Sequence, residues 1–264
     1  MTIINQNLKN FFLDNDSIIE EFLSQNKEDQ KQNCNHVIPF KHYQKIGFKW
    51  DNNDNKDLIV YANEPQVVMF HPNKSFGTSA IRGDRPLLKN AFTYWQITIS
   101  DRIFGTSIMI GIGTKEAKTK SIGYLNLLGI DSNSWGLSHK GVIWHDNCSK
   151  QFTNAFDENK CVKIGCLFDG YKGRLAYFIN NVYIGVAFDN IKVVKKGDEE
   201  AEYLYPMISS TISQCIMKLD FCYQTFPTLQ ELCRSVVVKN ANLFNSIKLE
   251  YPFIPSYIKD YLEN

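Results

Sequence analysis

The sequence predicts a mainly β protein: an antiparallel β-sandwich followed by a small helical segment at the C-terminus. Two observations carry the first half. Short apolar and aromatic runs recur from Lys45 to about residue 221 with turn residues between them, and no amphipathic helical period interrupts them. A third observation carries the second half. After the last run, the apolar positions Leu229, Leu232, Cys233, Val236 and Val237 fall at i, i+3, i+4, i+7 and i+8, one stripe of an α-helix.

The elements follow in order. Residues 1–44 are rich in Asn, Gln, Asp and Glu, with weak helical stretches at 8–13 and 17–23, and read as a poorly ordered or loosely helical leader. Residues 45–224 form the sandwich, with strands expected at 46–50, 58–62, 66–70, 92–99, 107–112, 141–145, 162–168, 174–179, 182–188, 205–210 and 215–221. Turn chemistry supports antiparallel pairing. Asn180-Asn181 lies between two runs and can take the positive φ values of a two-residue hairpin turn, and 138–141 and 169–173 are similar. The run 195–200, Lys-Lys-Gly-Asp-Glu-Glu, reads as a solvated loop. Residues 225–264 are the C-terminal helical segment.

Bulk properties narrow the function. With 44% hydrophobic and 13% aromatic residues in 264, a sizeable core is within reach. Twenty-nine basic against 28 acidic side chains leave a net charge of +1, which lacks the excess a nucleic-acid surface shows. No apolar run approaches the ~20 residues that span a bilayer, and the N-terminus lacks the order of a signal peptide. Seven cysteines without a Cys-x-x-Cys pair argue against a zinc site or a disulfide framework. The expectation is an intracellular protein, cytoplasmic and extending to the nucleus, with no nucleic-acid or membrane partner, no metal and no cofactor.

Enzyme motifs are absent. There is no nucleophile elbow, phosphate loop or His-Glu-x-x-His, and Gly111-Ile112-Gly113-Thr114 lacks the third glycine of a dinucleotide turn. The five histidines are scattered. The segment 114–135 is more promising, because Tyr124, Leu125, Leu127 and Leu128 stand among turn residues where a sandwich gathers recognition loops. Two readings remain open for it: a binding loop with Tyr124 as anchor, or apolar side chains folded under the loop as a satellite core.

The C-terminal helix has its own start signals, with Pro227 ahead of it, Thr228 as N-cap and Glu231 completing a capping box. Its stripe needs a cover, since burial contributes about 1.5–3 kcal/mol for each large side chain. That cover is either the sandwich itself or another protein. The small Cys233 between Leu229 and Val237 suits close approach by a partner. An extended segment, Tyr251-Pro252-Phe253-Ile254-Pro255, precedes a short helix at 257–262 capped by Ser256.

Those residues carry a resemblance. Thr228-Leu229-Gln230-Glu231-Leu232-Cys233 followed by Val237 resembles the elongin C-docking box of a SOCS box, and 255–262 resembles its cullin box. Upstream, Ala80-Ile81-Arg82-Gly83, Tyr94-Trp95-Gln96-Ile97, Gly111–Thr114, Leu127-Leu128-Gly129, Ser134-Trp135-Gly136-Leu137-Ser138 and Leu204-Tyr205-Pro206 resemble the SPRY domain. In this order the motifs are similar to those of the SPRY domain-containing SOCS box proteins over residues 45–264. The runs 134–138 and 205–211 point to one branch of that family.

The resemblance implies a non-catalytic substrate receptor of a ubiquitin ligase. Leu229, Leu232, Cys233, Val236 and Val237 would bind elongin B and C; Pro252, Ile254, Pro255, Ile258 and Leu262 would contact cullin-5 carrying a RING protein. A short peptide of a target would sit against Gly105, Thr106, Tyr124, Leu127, Thr211, Ile212 and Ser213. Several family members have a Val-Trp-Gly run at this last position and an arginine near His71-Pro72, both contacting an Asn-rich peptide. This chain has neither, so a different peptide is expected. In the cullin box the first proline is displaced by one place. Two alternatives stand beside this reading: a SPRY interaction module without a ligase role, its tail packed on its own sandwich, and a lectin-like carbohydrate binder using Asn126 and Asp131 near Tyr124.

Overall fold

The computed structural model describes residues 44–51, 57–61, 63–191 and 203–227. The leader, the loop at 195–200 and every residue assigned to elongin or cullin (Leu229, Leu232, Cys233, Val236, Val237, Pro252, Ile254, Pro255, Ile258 and Leu262) lie outside them. Residues 44–224 form one compact unit.

Its strands are β1 (Gln44–Lys45), β2 (Trp50–Asp51), β3 (Leu58–Tyr61), β4 (Glu64–Phe70), β5 (Thr78–Gly83), β6 (Phe92–Ile99), β7 (Ile108–Gly113) and β8 (Lys120–Ser121). They continue with β9 (Ser134–Ser138), β10 (Val142–His145), β11 (Cys148–Gln151), β12 (Val162–Asp169), β13 (Arg174–Ile179), β14 (Val182–Phe188), β15 (Tyr205–Ser210) and β16 (Cys215–Thr225). One sheet runs β14-β13-β12-β6-β16-β4-β3 with β1 beside β16; the other runs β11-β10-β9-β7-β15-β5-β2 with β8 beside β5. The pairings are antiparallel. This is the expected sandwich.

The inner faces meet in one core. Trp95, Ile97, Cys166 and Tyr177 of the first sheet pack with Ile81, Ile110, Leu137 and Ile208 of the second. A polar tie crosses it, where the Tyr177 hydroxyl donates to the Ile110 carbonyl at 2.9 Å. The tie satisfies a phenol that burial would otherwise leave unpaired, and burial pushes that phenol's pKa well up. The second sheet has a further layer on its outer side. Leu127 and Leu128 of the 114–133 segment pack there on Ala80, Met109 and Met207.

Several elements differ from the sequence expectation. The run 46–50 is not one strand but a crossing: Ile46 N–H still bonds to Cys222 in the first sheet, while Lys49 exchanges bonds with Asp84 and Trp50 pairs with Gly83 in the second. Strands β1, β5, β8, β9 and β11 were not expected. The Asn180-Asn181 turn is as expected, with φ of 49° and 65°.

Topology decides where the long connections go. The β4–β5, β6–β7 and β15–β16 connections each pass from one sheet to the other. The registers Ser210↔Ser79, Ser210↔Ile108 and Cys215↔Phe70 put all three at the same end. The register Thr78↔Ser121 and the bond from His139 N–H to the Ile108 carbonyl bring the segment after β8 and the β9–β10 turn there too.

Candidate peptide-binding site

At that end an open hollow of about 280 Å³ lies between the β6–β7 connection, Tyr124 and the β15–β16 turn. Six of the seven residues assigned to a peptide line it: Gly105, Thr106, Tyr124, Thr211, Ile212 and Ser213. Side-chain bonds hold its parts in register. The Thr211 hydroxyl donates to the Ser107 carbonyl at 3.0 Å and accepts the Ser107 N–H at 3.1 Å, which locks the turn to the β6–β7 connection. The Ser213 hydroxyl bonds to the carbonyls of His71 and Asn73, at 3.0 and 3.1 Å. Gly105 adopts a φ of 75°, a conformation that disfavours a side chain. Against it lies Ile212, 4% exposed and continuous with the core, so the floor of the hollow is aliphatic.

Tyr124 is 53% exposed, with its hydroxyl bonded to the Ser75 carbonyl. Thr78 fixes the loop that carries it, because the Thr78 hydroxyl donates to the Gly123 carbonyl at 2.7 Å and accepts the Leu125 N–H at 3.0 Å. Nearby Phe76 and Ile122 are 70% and 90% exposed, an apolar rim of the kind that marks an interaction surface. Leu127 lines neither this hollow nor its neighbour; at 1% exposure it belongs to the satellite core. The satellite-core reading of the 114–135 segment therefore holds for Leu127 and Leu128, while Tyr124 stands outside that core.

A second hollow of about 340 Å³ shares Thr106 and Tyr124 and adds Asn126, Lys140, Trp144 and Asn147. The Asn126 Oδ1 and the Trp144 Nε1 there have no hydrogen-bond partner among the described residues. Asp131, named with Asn126 for a carbohydrate, instead accepts the Asn133 N–H and stands 3.9 Å from Lys118.

Sequence reasoning missed Arg102 and Phe104 in the first hollow. The signal was available: Arg102-Ile103-Phe104 alternates directly before Gly105, with Ile103 buried and its two neighbours turned outward. Arg102 Nε donates to the Ser213 carbonyl at 3.0 Å and its guanidinium stands over the Phe104 ring, 5.4 Å from the centroid. Among the described residues no group of three or more His, Cys, Asp or Glu could hold a metal ion.

The family model for the SPRY domain matches residues 92–224. SPRY domain-containing SOCS box protein 3 of Xenopus tropicalis is 32% identical over 188 residues, 70% of this chain, which spans about half (49%) of that relative's length. Human SPRY domain-containing SOCS box protein 1 is 31% identical over 200 residues, 71% of this chain and 70% of that protein. Protein gustavus of Drosophila melanogaster is 27% identical over 70% of this chain and 68% of its own length. Among solved structures, the SPRY domain of human HERC1 is similar at 15% identity and a TM-score of 0.49, covering 64% of this chain and 96% of that one. The chain belongs to the SPRY domain-containing SOCS box protein family.

Proposed function

We propose that this protein is the substrate-recognition subunit of an elongin/cullin-RING ubiquitin ligase. The sandwich grips a short segment of a target protein in the hollow beside Tyr124. Residues 225–264 act as a SOCS box, with Leu229, Leu232, Cys233, Val236 and Val237 against elongin C and Pro252, Ile254, Pro255, Ile258 and Leu262 toward cullin-5. The protein itself does no chemistry; it brings a target to the RING-bound enzyme, in the cytoplasm and nucleus.

One observation carries this reading. Gly105 and Thr106, Tyr124, and Thr211 to Ser213 come from three separate connections, yet they converge on one open hollow with an aromatic wall and an exposed apolar rim. Recognition residues held on loops by a rigid sandwich are how such scaffolds bind short segments. The ligase half rests on the helical spacing after Pro227 and on the names of the relatives.

The test is co-purification of the full chain from cells. Leu229→Asp with Cys233→Asp should remove elongin C while the target is retained, and Tyr124→Ala should remove the target while elongin C is retained. Retention of elongin C by the double variant sinks the ligase half. Capture of a target with no elongin C by the unaltered chain favours an interaction module without a ligase role.

A further inference from the structure

His71 follows β4 directly and holds both ends of the turn that carries Thr211, Ile212 and Ser213. Its ring, 2% exposed, donates from Nε2 to the Ser210 carbonyl at 3.0 Å, just ahead of that turn. Its main-chain carbonyl accepts the Ser213 hydroxyl at 3.0 Å and the Gln214 N–H at 3.1 Å, just behind it. One residue thereby fixes the span of a turn that gives the hollow three of its lining residues. The main chain of His71 enters the left-handed region to do so, with a φ of 46°, a conformation uncommon for a residue with a side chain and held here by these bonds together with that from its N–H to the Asp57 carbonyl.

The ring acts as a neutral donor. The charged groups that face it are Asp57 and Lys120, which pair with each other, and Nδ1 has no hydrogen-bond partner among the described residues. On β16, Cys215 stands opposite Phe70 and stays a thiol, because burial pushes its pKa up to about 12. A proton at Nδ1 would place a charge in a buried position with no acceptor, and burial accordingly holds the imidazole below its ordinary pKa. The charged ring is more stable in water, which it reaches only by giving up Ser210.

We propose that His71 is the positioning residue of the peptide site: its neutral ring sets the β15–β16 turn for binding, and its protonation releases the turn and with it the target. This rests on reading the hollow as a peptide site and adds the residue that sets its shape and the condition under which it lets go. The binding form contains the neutral ring, so affinity is level above the ordinary imidazole pKa of about 6.5 and falls as pH drops below it toward the depressed value.

The probe is a peptide from a random display library selected on the full chain at neutral pH and kept only if Tyr124→Ala abolishes its binding. Its affinity is measured for the unaltered chain, His71→Gln and His71→Asn, each well below its own melting midpoint, so that only folded protein is read. Titration of the peptide itself cancels, because every protein meets the same one. The unaltered chain should bind roughly three- to tenfold more weakly at about pH 5.5 than at about pH 7.5, the scale of one lost hydrogen bond. In His71→Gln the amide nitrogen can stand where Nε2 stands and does not titrate, so this variant should match the unaltered chain at neutral pH and keep most of its affinity in acid. Any residual fall belongs to His139, whose Nδ1 accepts the Ile108 N–H at the end of the β6–β7 connection. His71→Asn tolerates the left-handed backbone but falls short of Ser210, and it should be weaker by the same factor at both pH values. Binding by His71→Asn as tight as that of the unaltered chain overturns the positioning role. A fall with pH as steep in either variant as in the unaltered chain overturns the release by protonation. Both results leave the peptide site standing, whereas a library that yields no peptide dependent on Tyr124 overturns the site and the assignment together.

Discussion

Tyr124 donates its phenolic hydrogen to the carbonyl oxygen of Ser75 across 2.7 Å, joining two connections that lie 49 residues apart in the chain. The bond holds the ring upright as the wall between two hollows while leaving more than half of the residue in solvent. Tyr124→Phe keeps the ring and frees Ser75 to bond with water, so the stability cost should be only about 0.5–1 kcal/mol, with target capture weakened several-fold by the loosened loop. Tyr124→Ala removes the whole ring and should cost about 2 kcal/mol or more in binding, roughly thirtyfold, with a melting temperature only a few degrees lower. Titration of an immobilised target against the three proteins measures both; equal affinities would show that the ring is not an anchor.

How far the sequence alone reaches is visible at two strands. β6 was legible because Phe92–Ile99 is rich in aromatic and β-branched residues, as a strand in the middle of a sheet requires. β5 was not, because Thr78-Ser79-Ala80-Ile81-Arg82-Gly83 alternates with nothing that looks like a core, yet five of the six are buried. The cause is the satellite layer. The 114–133 segment covers the outer face of this sheet, so small residues admit the loop and Thr78 bonds to it instead of to water. The site divides in the same way. Gly105, Tyr124 and Ile212 could be placed through motifs, whereas the alternation at Arg102 says only that its side chain faces outward; its place in the hollow follows from Ser213, 111 residues away in the chain and adjacent only after folding.

The pair Gly111 and Gly136 offers a sharper test of the fold. They oppose each other in the β7–β9 ladder. A Cβ added at Gly111 would fall well inside contact distance of the Trp135 carbonyl oxygen and 2.8 Å from the Gly136 Cα, both backbone atoms of a paired strand. These atoms cannot move aside as a flexible side chain could. Gly111→Ala should therefore cost more than about 3 kcal/mol or yield no soluble protein. Gly105→Ala is the contrast. Its positive φ costs about 1 kcal/mol, but the added methyl meets only Ile212, at 3.7 Å, so this variant should fold and melt a few degrees lower. Comparable melting temperatures for the two would contradict the packing argument.

Acid should weaken the fold through His71 and His139. Burial holds both imidazoles below their ordinary pKa, against the help of Asp57 for His71 and Glu158 for His139, and Lys120 and Lys140 reinforce the depression. The geometry agrees. His71 Nε2 donates to the Ser210 carbonyl at 3.0 Å, with Nδ1 lacking a partner among the described residues, and His139 Nδ1 already accepts the Ile108 N–H at 3.1 Å. A proton added at Nδ1 of His71 meets no acceptor among the described residues, and one added at Nδ1 of His139 meets the Ile108 N–H. In the unfolded chain both titrate near the ordinary value of about 6.5, so below that pH the unfolded state binds more protons than the folded one. The stability contribution is complete above about pH 6.5 and is lost as pH falls toward the depressed folded values. Urea midpoints should be level from about pH 8 to 7 and decline below about 6.5. His139→Asn places a non-titrating acceptor where Nδ1 stands and should flatten part of that decline. A midpoint that stays level down to about pH 5, before carboxylates begin to titrate, would show that these two rings take up protons as readily inside the fold as outside it.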